Sequence, residues 1–117
     1  MHEIKLTKET IDGSEVEVYS REIWDANIIR VSAGTTGFCG GDSGHGGRTI
    51  VGIEDLGSTD LRIRIKTHSH FGKCDTYEAD DVEKIEIILG GDAELVTIVK
   101  GLKWIRKALK EIAWRKQ

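Results

Sequence analysis

Residues 33–47 read AGTTGFCGGDSGHGG and hold seven of the chain's fourteen glycines. Glycine at that density cannot pack a core, and it loses much backbone entropy on ordering. Any globule must therefore be built from the segments on either side, with this stretch as a loop between them. Such a loop lets main-chain N–H groups converge on a ligand. Long loops in compact domains are usually functional or disordered. Phe38, Cys39, Asp42, Ser43 and His45 stand at single places within this one, and Arg48 follows at once. That mixture is unlike a low-complexity linker and points to function.

A chain of 117 residues fits one domain with a modest core. It contains no run of about eighteen apolar residues and opens on no signal-peptide pattern, so a soluble, cytoplasmic chain is expected. Two cysteines, Cys39 and Cys74, do not make a disulfide framework. The net charge of −3 is unevenly spread: residues 92–117 sum to +4 and residues 1–91 to −7. An acidic body argues against a duplex-DNA binder, while the basic tail suits a small anion held locally.

Most of the body reads as short strands. Residues 14–19 place Val16 and Val18 on one face; 27–32 carry Ile29 and Val31; 48–54 set Val51 and Ile53 against Ile50. In 60–66, Leu61, Ile63 and Ile65 alternate with Arg62, Arg64 and Lys66, and 84–89 repeats the pattern with Ile85, Ile87 and Leu89. Residues 1–6 add an edge strand. Asp55-Leu56-Gly57-Ser58-Thr59 is a hairpin signal, which predicts antiparallel pairing of 48–54 with 60–66. No βαβ alternation occurs, so a parallel sheet is not expected. The expected class is α+β: an antiparallel sheet of five to six short strands over residues 1–89, closed by one long helix over 92–115.

That helix is predicted to start at Asp92 as N-cap, with Glu94 in its first turn. Leu95, Ile98, Leu102, Ile105, Leu109 and Ile112 follow at spacings 3, 4, 3, 4, 3, a heptad-like seam. It serves a helix lying across the sheet, a helix shared with a second copy, or both. Beside the seam runs a stripe of Arg106, Lys110, Lys103, Trp114 and Lys107. Lys103 and Lys107 are explained by a solvated face near the helix C-terminus. Arg106 and Lys110 lie closest to the seam, where they could reach a phosphate partly shielded from water.

Several chemistries compete. Gly41-Asp42-Ser43-Gly44 matches the tetrapeptide around the nucleophile of chymotrypsin-like proteases. The chain is far shorter than that double barrel, and no histidine stands where a triad would need it. His68, His70, Cys74 and Asp75, with Cys39 and His45, offer zinc-ligand types, but their spacing matches no zinc signature. Neither a GxxxxGK[ST] loop nor a GxGxxG fingerprint occurs. Phosphate contacts at the glycine loop would come from turn N–H groups, Thr35, Thr36, Ser43 and Arg48. Phe38, Phe71 and Tyr77 fall in expected loops, where a large ring either packs over the loop or stacks on a base.

Three segments, AGTTGFCGGDSGHGGRT at 33–49, DLGSTD at 55–60 and GGDAELVTIVKGLKWI at 90–105, resemble the phage Thoeris anti-defence protein 1 family. The resemblance implies an antiparallel sheet with a C-terminal helix, assembled as a homodimer or higher homo-oligomer. It implies sequestration, without cleavage, of cyclic ADP-ribose isomers made by bacterial TIR-domain enzymes, in the host cytoplasm. Some members also take cyclic oligonucleotides at a second pocket, for which Arg48 is a candidate. It further implies two basic residues one turn apart on the last helix, matched here by Arg106 and Lys110, and an aromatic on adenine, with Phe71 and Tyr77 the candidates. The family pattern has arginine at both helix positions, so Lys110 departs from it and loses the bidentate fork. The resemblance implies neither a cofactor nor a metal. The competing reading is a small metal-dependent nucleotide hydrolase using His45, His68 and His70 with Asp42.

Overall fold

The computed structural model describes residues 3–41, 46–68 and 75–116. The chain is α+β, with seven strands and one long C-terminal helix among the described residues. Strands β1 (Lys5–Ile11), β2 (Ser14–Trp24), β3 (Ile28–Thr35), β4 (Arg48–Gly57) and β7 (Lys84–Gly90) form an antiparallel sheet in the order β1-β2-β3-β4-β7. Strands β5 (Ile63–Lys66) and β6 (Thr76–Ala79) form a separate two-stranded arm inserted between β4 and β7. Helix α1 spans Asp92–Arg115.

Strand alternation divides the sheet into two unlike faces. On one, Leu6, Tyr19, Ala33, Val51 and Ile87 stand in a single row across all five strands. The next row continues with Val31, Ile53 and Ile85. On the other face, Glu22, Arg30, Glu54 and Lys84 form a row of alternating charge. Arg30 reaches Glu54 at 2.8 Å and Glu22 at 3.6 Å. Opposite charges facing across strands stabilise such rows modestly.

The core lies at one end of this second face, where Ile11, Val16, Val18 and Ile50 are buried. Val18, Gly34 and Ile50 share a row there. A Cβ on Gly34 would come within 2.7 Å of the Val18 side chain and 2.6 Å of the Glu17 carbonyl. The sheet curls too tightly at this point for any larger residue. The β1–β2 turn at Asp12-Gly13 has φ of 49° and 80°, the doubly positive turn that matches strand twist. Its Asp12 carboxylate accepts from Arg48 Nε at 2.9 Å, which closes the curled end.

Three expectations need correction. The segment after β4 does not fold back on it: β4 pairs with β3 and β7, and β5 pairs with β6. The turn at 55–59 is real, since the Asp55 carboxylate accepts from Gly57 N–H at 2.9 Å and Thr59 N–H at 3.3 Å. With Ser58 at φ 61°, it sends the chain outward into the arm instead of back along β4. The edge strand expected at 1–6 begins at Lys5 and runs to Ile11. The helix N-cap is Gly91, and Asp92 is the first helical residue, its carboxylate engaged elsewhere.

Candidate functional site

The glycine loop leaves β3 at Thr35 and rejoins the sheet at Arg48, and its two limbs are laced together. Thr36 N–H donates to the Arg48 carbonyl at 3.0 Å, and Arg48 N–H donates to Thr36 Oγ1 at 3.0 Å. Thr36 Oγ1 in turn donates to the Gly37 carbonyl at 3.2 Å and accepts from Cys39 Sγ at 3.5 Å. One donor and two acceptor positions exhaust a hydroxyl, so Thr36 is fully spent inside the loop. Thr35 Oγ1 is shared with Thr49 Oγ1 at 3.0 Å and accepts from Gly37 N–H at 3.1 Å. A Cβ on Gly47 would clash with Thr36 Oγ1 and lie 2.6 Å from the Gly37 carbonyl. Close approach, not an unusual φ, is what demands glycine there.

Arg48 is equally committed. Besides Asp12, it donates from Nη1 to the Gly46 and Gly47 carbonyls, each at 3.1 Å, with its side chain only 14% exposed. It braces the loop's outgoing limb. At the opposite limb, the N–H groups of Cys39 and Gly40 converge on an anion, as the glycine content suggested, but the anion is internal. They donate to the two carboxylate oxygens of Asp92 at 2.9 and 2.8 Å. These bonds, Cys39's first, hold the Asp92 carboxyl below its ordinary value.

Arg106 and Lys110 stand one turn apart on the solvent-exposed second half of α1, and neither forms an ion pair among the described residues. Tyr77 lies on the arm, opposite Ile65 in register and 57% exposed. The arm strands touch chiefly one another, so the structure leaves Tyr77 apart from the helix pair. His68 is exposed. Phe71, Ser43, Asp42, His45, His70 and Cys74 lie outside the described residues. The structure thus gathers Thr35, Thr36 and Arg48 at the glycine loop, sets Arg106 and Lys110 on the helix, and carries Tyr77 on a third element.

Sequence reasoning missed a concavity between the sheet and the first half of the helix. Helix residues Leu95, Ile98 and Leu102 line, with Tyr19, Thr35 and Val51 of the sheet, an open apolar cleft of about 290 Å³, near the lower limit for small-molecule sites. Ala33, Gly34 and Thr35, where the glycine-rich stretch begins, are part of its wall. The signal lay in β2, where Tyr19 takes the face opposite Val16 and Val18. The other sheet face holds a polar groove of about 360 Å³ beside Arg30, Glu54 and Lys84. Among the described residues no three His, Cys, Asp or Glu side chains are grouped to hold a metal ion. No described helix is long and apolar enough to cross a membrane. No family model, curated protein or solved structure matches this chain.

Proposed function

We propose that this protein binds and sequesters a cyclic ADP-ribose-type signalling nucleotide without cleaving it, and so counters a bacterial TIR-based anti-phage defence in the host cytoplasm. The observation that carries the reading is the pair Arg106 and Lys110, two cations that form no ion pair among the described residues, one turn apart on a helix whose other half lines an apolar cleft. A cyclic dinucleotide presents phosphates and flat bases together, and such a ligand needs cations and apolar surface side by side. Cyclic oligonucleotides belong to the same ligand chemistry.

The protein acts as a homodimer or higher homo-oligomer in this reading. Its accessible surface is 9200 Å², whereas a compact 13.0 kDa monomer exposes roughly 6,300 Å². The radius of gyration is 16.3 Å, against roughly 13.4 Å for a compact domain of this length. The surplus area is larger than the ~800 Å² that one partner contributes to a standard interface. Exposed Leu6, Ile87, Leu109 and Ile112 supply its apolar part.

The test is recovery of ligand. Cyclic ADP-ribose is incubated with excess protein, released by heat denaturation and chromatographed. Full recovery of the intact nucleotide after long incubation is expected. Progressive loss that a chelator prevents would replace sequestration with metal-dependent hydrolysis.

A further inference from the structure

The helix start does more than begin the helix. Gly91 N–H donates to the Gly47 carbonyl at 2.9 Å, and Asp92 N–H donates to the Gly41 carbonyl at 2.8 Å. The incoming and outgoing limbs of the glycine loop are thus both bonded to two consecutive residues of one turn. The carboxylate adds the N–H groups of Cys39 and Gly40, one to each oxygen. A Cβ on Gly46 would clash with the Gly41 carbonyl and come 3.2 Å from Asp92 Oδ1, so the limbs meet with no slack. The N-cap residue is Gly91, which has no side chain to cap with, and the Asp92 carboxylate is turned to the loop.

We propose that Asp92 is the latch of the glycine loop: its carboxylate ties the incoming limb at Cys39 and Gly40 to the helix start and so holds the two described limbs, residues 36–41 and 46–48, against one another. A carboxylate is the one side chain of this length that accepts at both oxygens and donates at neither. Its two bonds to backbone N–H are charge-assisted. An amide keeps one acceptor and turns an NH₂ toward the second N–H, so Asp92→Asn keeps half the latch and Asp92→Ala keeps none. The latch can fail while the helix, held by its own ladder, persists.

Backbone amide exchange followed by NMR on the full chain separates these. In Asp92→Ala, the Cys39 and Gly40 amides are expected to exchange at least tenfold faster, and in Asp92→Asn by less, while Val18 and Leu102 are unchanged. Unchanged exchange at Cys39 and Gly40 overturns the latch. Acceleration that also reaches Val18 overturns it too, because Asp92 would then serve global stability.

Discussion

At the looped end of the sheet, Ile11, Val16, Val18 and Ile50 are buried and the glycine loop is bonded to Arg48, Thr36 and Asp92. The helix that starts from that same end buries none of its residues. Trp104 and Trp114 are 68% and 67% exposed on it, and Leu109 63%. One region finds its partners within the chain; the other carries an equally regular apolar pattern, of which Leu95, Ile98 and Leu102 line the cleft against the sheet while Ile105, Leu109 and Ile112 stay exposed. The difference teaches that periodicity reports which stripe of a helix is apolar, not how far along it the chain itself supplies a cover. Strands and loop here are specified by intramolecular contacts, and the second half of the helix seam is not.

The contrast can be broken most sharply at the seam. Leu109→Glu is expected to convert a species of at least twice 13.0 kDa into a 13.0 kDa monomer, because an unpaired buried charge costs several kcal/mol. Light scattering at micromolar concentration reads this directly. A clean 13.0 kDa monomer before the substitution would overturn the shared interface. Next in size, Ile50→Ala should cost about 2–5 kcal/mol in urea unfolding. Leu109→Ala should stay within about 0.5 kcal/mol when measured on the monomer. Equal costs would erase the distinction between the two regions.

Arg106→Ala should weaken cyclic ADP-ribose binding by about tenfold to a hundredfold, the worth of a charge-assisted hydrogen bond at roughly 1.5–3 kcal/mol. Lys110→Ala should do less, since an ammonium lacks the planar fork. Unaltered affinity in the double variant would move the ligand off the helix. Gly47→Val, which drives carbon into Thr36 and Gly37, should destabilise the looped end by about 1–3 kcal/mol and leave the helix intact by circular dichroism.

The smallest effect is a pH dependence. Asp92 is held below its ordinary carboxyl value in the fold, so its contribution is fully present above the ordinary carboxylate range and is lost as pH falls through the folded value. The Cys39 and Gly40 amide shifts should report that titration, and in Asp92→Asn they should not.

Much of this fold was legible in the sequence. Alternation located β2, β3, β4, β5 and β7, and the 3,4 spacing located α1, because burial on one face or one stripe leaves a period that needs no knowledge of partners. Pairing was less legible. The turn chemistry at 55–59 was read correctly as a turn, yet which strand β4 accepts is decided by register with Lys84–Gly90, far along the chain. The four-residue β6 offers too short a pattern to be seen. Asp12-Gly13, a plain hairpin dipeptide, would have joined β1 to β2 and extended β1 to Ile11. Of the site, the sequence singled out the right loop but not its internal economy: nothing local says that Thr36 is saturated or that the anion awaiting the loop's N–H groups is Asp92. Those are long-range facts, and a side chain like Tyr19 becomes a cleft wall only once a helix from the far end of the chain lies over it.

The arm of β5 and β6 has a further consequence for how this chain can vary. Asp55 N–H donates to the Glu83 carbonyl at 2.8 Å, and Glu54 faces Lys84 in register. The ladder of β4 and β7 is thus already closed at the base of the arm. Everything from Ser58 to Val82 is an excursion leaving and returning through one narrow neck, where Val82 N–H meets the Leu61 carbonyl at 3.0 Å. Excursions of that kind can be lengthened, shortened or exchanged at little expense to the sheet beneath them, so the arm can be re-engineered in length while the body keeps its ladder.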